Sequence, residues 1–201
     1  MLVVGLGNPG PRYAGSPHNA GFRVLDHFAE HQTTDGRAVW TERFEAKFAM
    51  AAVDAQQLIL LKPLTYMNRS GESVRKAMSF FDIDGQAALV VHDELDLPLG
   101  TVKLKHGGGE AGHNGLKSVS AELGTRDYSR LRVGVGRPAT GEVRDFLLSP
   151  LAAAEDVRLE ESLGDAVSAI GLWARHGIEQ AMNQVNRRAA APKPRSEGQP
   201  E

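Results

Sequence analysis

The sequence predicts a single-domain α/β protein in which a mixed, twisted β-sheet carries helices on both faces. Three observations lead there. Short, continuously apolar runs of strand length alternate with longer stretches whose apolar residues recur at helical spacing. Several of these runs, Leu2 to Leu6 and Ala87 to His92 among them, lead into a polar loop containing glycine. A length of 201 residues suits one core and is short for two.

The elements follow in order. Leu2 to Leu6 is an apolar run ending in GLGNPG, which reads as a buried strand feeding a tight turn. Phe22, Val24, Leu25, Phe28 and Ala29 then recur at helical spacing, with Asn19 or Gly21 at the entry. Residues 38–62 read as a hairpin, with Phe44 to Val53 alternating, a turn at Ala55-Gln56-Gln57 and a buried strand at Leu58 to Leu61. Ser70 to Phe81 places Val74, Ala77, Met78 and Phe81 on one helical face. Ala87 to His92 is a further buried strand, Leu116 to Leu123 a helix and Leu131 to Val135 a strand; Phe146 to Leu148 is too short to assign. From Pro150 to about Asn186 the pattern is helical, broken at Gly177. The folded domain is therefore expected over 1–188, with 189–201 (AAAPKPRSEGQPE) a disordered tail.

Composition excludes several classes. With 41% hydrophobic and 24% charged residues the chain is an ordinary globular one, and zero cysteines exclude disulfide frameworks and thiolate metal sites. No run is long enough for a membrane span, and Met1 leads directly into LVVGLGNPG without a basic leader, so a cytoplasmic protein is expected. The net charge of −2 is unevenly spread: Thr101 to Arg137 carries seven Lys/Arg against three acids, +4 locally and −6 elsewhere. An acidic chain with one basic segment suits a polyanion bound at one place.

The candidate chemistry lies in the loops Gly5–Gly10, Pro63–Ser70 and Asp93–Gly100, which follow strands and are expected to converge outside the sheet's carboxyl edge. They and their neighbours supply amides (Asn8, Asn19, Asn68, Asn114), histidines (His18, His92, His113) and Asp93, with no G-x-S-x-G and no cysteine. What remains is a histidine oriented by a carboxylate, which takes a proton from water while amides hold the substrate. A lone histidine near a helix start is more often a cap than a base, and Asp93 has the alternative of capping a turn. A metal shell is not expected, because strand alternation sends His92 and Asp93 to opposite faces. Gly5, Gly7 and Gly10 match G-x-G-x-x-G, but Pro9 and Pro11 stand where a helix would open, which rejects a dinucleotide site. Gly107-Gly108-Gly109 reads either as a hinge or as a backbone anion nest; with Lys103 and Lys105 beside it, phosphate binding is preferred.

Four long motifs, GLGNPGPRYAGSPHNAGF (5–22), KPLTYMNRSG (62–71), HDELDLPLGTVKLKHGGGEAGHNGLKS (92–118) and RLRVGVGRP (130–138), resemble those of bacterial-type peptidyl-tRNA hydrolases in order and separation. The resemblance implies hydrolysis, without metal or cofactor, of the ester joining a peptide to the 3′ end of tRNA. It implies His18 as the base, Asp93 as its orienting partner, and Asn8 as the group that senses the peptide backbone. Asn68 and Asn114 would position peptide, water or ribose, with Tyr13, Tyr66 and His113 at the substrate. Lys105 and Arg132, assisted by Lys103, would hold the 5′ phosphate. The family also implies a monomer without an obligate protein partner. The chain departs from the family pattern at Ser16-Pro17, where Thr-Arg is more usual, at Leu151, where an aromatic is frequent, and at Glu110, an added acid in the glycine loop.

Overall fold

The structure is a computed structural model that describes residues 1–31 and 38–190. Seven strands form one sheet in the order β2-β3-β4-β1-β5-β7-β6. The strands are β1 (Leu2–Gly5), β2 (Thr41–Arg43), β3 (Ala46–Val53), β4 (Gln56–Pro63), β5 (Ala88–Glu94), β6 (Val102–His106) and β7 (Ser129–Gly134). The central four, β4-β1-β5-β7, are mutually parallel, while β2, β3 and β6 run antiparallel to their inner neighbours. The sheet is thus mixed, as the alternation of elements predicts.

Side chains along each strand divide between two cores with a period of two. Val3, Leu60, Val91 and Val133 pack on one face against α1 (Ala20–His31) and α5 (Ala153–Ala190). Leu2, Val4, Leu61 and Val90 pack on the other against α2 (Ser70–Phe81) and α3 (Asn114–Leu123). Because β1 and β5 are covered on both sides, they read as continuous apolar runs rather than alternating ones. A short helix α4 (Val143–Leu148) occupies the stretch whose pattern is too short to assign. No helix among the described residues is long and apolar enough to cross a membrane.

Three boundaries differ from the sequence reading. Phe44, expected to open a strand, sits instead with Glu45 in left-handed backbone (φ 62° and 53°), forming a tight turn between β2 and β3 that no Gly or Asn announces. The next turn is Asp54-Ala55 rather than Ala55–Gln57; Asp54 at φ 53° closes a two-residue hairpin with Val53 opposite Gln56. Helix α5 runs through Ala190, so Ala189 and Ala190 of the expected tail end a helix, and the rest of that tail lies outside the described residues. Gly177 (φ 75°, ψ 175°) breaks α5 as its position in the pattern suggests.

One close approach sets the active end. A Cβ on Gly21 would stand 2.4 Å from the Leu6 amide nitrogen and 2.5 Å from the Val91 carbonyl oxygen. Only glycine lets the first turn of α1 lie directly on the backbones of β1 and β5. The 3-10 turn Pro17–Asn19 that precedes α1 is thereby brought to the carboxyl end of β5.

Candidate active site

The loops after β1, β4 and β5 converge on one cleft of about 720 Å³, joined by the glycine loop before α3 and by α4. Asn8, Tyr13, His18, Tyr66, Asn68, Asp93, His113 and Asn114 all line it.

His18 reaches the cleft from a turn built for burial. Ser16 precedes it with its hydroxyl donating to the Tyr13 carbonyl at 2.8 Å, and Pro17 occupies the first position of the 3-10 turn, where its missing N–H costs nothing. Ser16, Pro17, His18 and Asn19 are all buried, so the departure from Thr-Arg fixes the turn rather than presenting a side chain to solvent. The His18 Nδ1–H donates to Asp93 Oδ1 at 2.8 Å. Its Nε2 has no protein partner among the described residues.

Asp93 holds a second imidazole. His113 Nε2 lies 3.0 Å from the same Oδ1, while His113 Nδ1 accepts the backbone N–H groups of Gly115 and Leu116 at 3.1 and 3.3 Å, capping α3. Two N–H donors at Nδ1 require the tautomer with its proton on Nε2, so His113 donates to Asp93. The sequence reading groups His113 with the substrate contacts; both of its ring nitrogens are in fact engaged within the protein. Asp93 is therefore a buried carboxylate receiving two N–H donors.

Electrostatics follow from this arrangement. Burial would raise the Asp93 pKa, but the two histidines and their hydrogen bonds hold it well below the usual carboxylate range. Burial pulls the His18 pKa down, yet the Asp93 charge and hydrogen bond outweigh it and the net shift is upward. His92 is pushed down to about 3 by burial and by the neighbouring His113; it is a neutral wall residue whose Nδ1–H donates to the Asp93 carbonyl at 2.7 Å. Alternation does not separate His92 from Asp93: both line the cleft, which wraps over the end of β5, and the His92 ring stands edge-on to His113 at 5.1 Å.

Ligating atoms of His18, Asp93 and His113 lie within 4.8 Å of one another, a spacing that admits a metal on distance alone. The hydrogen bonds argue otherwise. His113 carries its proton on the nitrogen that faces Asp93, and its other nitrogen accepts two backbone donors, which removes it as a ligand.

The amides are positioned differently. Asn8 is clasped by Asn19, whose Oδ1 accepts the Asn8 backbone N–H at 2.8 Å and whose Nδ2 donates to the Asn8 carbonyl at 3.0 Å. Asn8 Oδ1 accepts the Met67 N–H at 2.9 Å, leaving Nδ2 as the group offered to a ligand. Asn19, in the sequence only one more amide, is thus the residue that sets Asn8; the paired asparagines flanking the turn are the available signal. Asn68 and Asn114 are exposed on a 3-10 turn and at the start of α3, and Tyr66 is 62% exposed at the rim.

Lys103, Lys105 and Arg132 do not line the cleft. Lys103 pairs in register with Arg132, and Lys105 with Arg130, on the edge ladder of β6 and β7. Arg132 Nε donates to Glu94 Oε2 at 3.0 Å, which ties this ladder to the cleft wall. The glycine loop does not form an anion nest around Gly108 and Gly109. The buried Arg130 guanidinium donates to their carbonyls at 2.6 and 2.7 Å and lies 4.7 Å from the Tyr128 ring, so the loop turns oxygens, not N–H groups, toward its charged partner. Glu110 pins the same loop through Arg126 at 2.6 Å. Sequence reasoning misses Arg130, which there is only one of the seven cations of the basic segment.

Comparison with known proteins agrees with this geometry. A family model described as peptidyl-tRNA hydrolase matches residues 2–193. A peptidyl-tRNA hydrolase of Sorangium cellulosum is 49% identical over 96% of this chain and 86% of its own, and one of Symbiobacterium thermophilum is 46% identical over 92% and 98%. The crystal structure of peptidyl-tRNA hydrolase from Acinetobacter baumannii, 36% identical, superposes with a TM-score of 0.85 over 92% of this chain and 94% of that one. With the matched motifs forming one cleft on a shared fold, the chain belongs to the peptidyl-tRNA hydrolase family.

Proposed function

We propose that this hydrolase cleaves peptidyl-tRNA by direct attack of a water activated at His18, without a covalent intermediate. The observation that carries the reading is the buried chain His18–Asp93–His113, in which one carboxylate oxygen receives both imidazoles. With its proton held on Nδ1 by Asp93, His18 has a lone pair on Nε2 for a water proton. The water oxygen bonds to the ester carbonyl carbon and its proton passes to Nε2. The tetrahedral oxyanion collapses, the C–O bond to the terminal ribose breaks, and the proton on Nε2 goes to the departing 3′ oxygen. The products are tRNA with a free 3′ hydroxyl and a peptide carboxylic acid, which keeps the second water proton until it ionises to the carboxylate by releasing it to solvent.

His113 is a positioning residue here. Its Nδ1 is committed to the backbone N–H groups that open α3, and its contribution is to hold Asp93. Asn8 offers Nδ2 to the peptide backbone or the oxyanion, while Asn68 and Asn114 orient peptide, water or ribose. Tyr13 and Tyr66 provide aromatic faces at the mouth. Lys103, Lys105 and Arg132 take the 5′ phosphate of the tRNA: like charges facing each other across a ladder are destabilising alone and become favourable around an anion.

The test is release of free tRNA from an N-blocked aminoacyl-tRNA in the presence of a chelator. His18→Ala is expected to abolish turnover with the circular dichroism spectrum unchanged. Full activity in that variant would remove His18 as the base.

A further inference from the structure

The cleft holds one charged side chain that the mechanism leaves unused. Its acids are all engaged: Asp93 by His18 and His113, Glu94 by Arg132 at 3.0 Å, Asp96 by Arg137 at 2.7 Å and Glu110 by Arg126 at 2.6 Å. Arg144, exposed on α4, lines the same cleft and has no hydrogen bond or ion pair among the described residues. Helix α4 packs against the 3-10 turn that carries His18.

The substrate has an unmet need at this point. The scissile ester is on the 3′-terminal ribose, and the phosphodiester on the 5′ side of that nucleotide is one ribose away. Whatever presents the ester to His18 brings this phosphate to the cleft mouth. Lys103, Lys105 and Arg132 lie on the β6–β7 ladder and do not line the cleft, and Arg137 is held by Asp96. We propose that Arg144 binds the phosphodiester of the terminal nucleotide and so selects ester substrates with a polynucleotide leaving group. A guanidinium suits that task, since its fork matches two phosphate oxygens. The inference rests on the reading that His18 receives the ester.

Two substrates separate the possibilities: an N-acetylaminoacyl ester of the trinucleotide CCA, which carries phosphodiesters, and the same acyl ester of adenosine, which carries none. The quantity read is the ratio of kcat/KM between them. Arg144→Met is expected to lower that ratio about tenfold, through KM. The slope of log(kcat/KM) against log salt for the CCA ester should become shallower by about 0.7. Arg144→Lys should retain part of the preference. An unchanged ratio and slope in Arg144→Met would overturn the assignment. Equal losses on both esters would also overturn it, because they would mean that Arg144 merely supports the His18 turn. A dependence on Arg144 seen only with an aspartyl or glutamyl side chain in the acyl group would replace the phosphate with a peptide carboxylate. If the unaltered enzyme cleaves neither ester and releases no tRNA from peptidyl-tRNA, it is the His18 reading that fails instead.

Discussion

At the scale of single residues, the chemistry depends on how one carboxylate is shared. Asp93 raises the pKa of His18 against the pull of burial, and His113 steadies Asp93 through its Nε2 while its Nδ1 caps α3. A base must be neutral to act, so kcat/KM, which reports the free enzyme, should fall as pH drops through the His18 pKa. Because the net shift is upward, this acid limb should lie above the usual value near 6.5. Asp93→Asn removes the charge that raises it and leaves burial, so the limb should move to lower pH. The plateau should fall by about 10²–10⁴, as the tautomer is no longer enforced. A pH–rate profile on N-blocked aminoacyl-tRNA decides this; an acid limb that stays in place or moves upward in Asp93→Asn would detach it from His18.

At the scale of elements, the site is made by close packing of backbone as much as by side chains. Gly21 lets α1 rest on β1 and β5, and that packing delivers His18 to Asp93 across 75 positions of sequence. Gly21→Ala overpacks this approach and should cost about 1–3 kcal/mol, with kcat falling more than KM changes because the turn before α1 shifts. Ala29→Gly, at the buried far end of the same helix, should cost about 1 kcal/mol and leave kcat intact. Thermal melts with kinetics on both variants check the contrast; a Gly21→Ala enzyme that loses stability alone would mean that the turn is placed independently of α1. The same scale explains what sequence makes legible. Strands covered on both faces and helices with one apolar stripe are readable because burial writes a period into the residues. His18, Asp93 and Asn8 are reachable because their types and loops match a known set. The turn at Phe44-Glu45, the tie between His113 and Asp93, and the grip of Arg130 on Gly108 and Gly109 are not: each depends on neighbours fixed only by the assembled sheet.

At the scale of the whole molecule, the proposed function has an acidic protein meet a polyanion at the one segment where cations outnumber acids. The +4 segment from Thr101 to Arg137 contains β6 and β7, whose facing positions pair Lys103 with Arg132 and Lys105 with Arg130. Arg130 is spent on the glycine loop, so under the proposed function phosphate would be held by Lys103, Lys105 and Arg132, with Arg132 partly offset by Glu94. Replacing Lys105 and Arg132 together by Ala should therefore raise KM for tRNA esters and flatten its salt dependence by about 0.9 for each phosphate no longer neutralised, with kcat much less affected. Glu94→Gln works in the other direction: it leaves Arg132 uncompensated, so KM at low salt should fall and the slope steepen. Steady-state kinetics across a salt series on the two enzymes provides the measurement. A double variant whose kcat falls while KM and slope hold would place the ladder in support of the fold around β7 instead of at the tRNA.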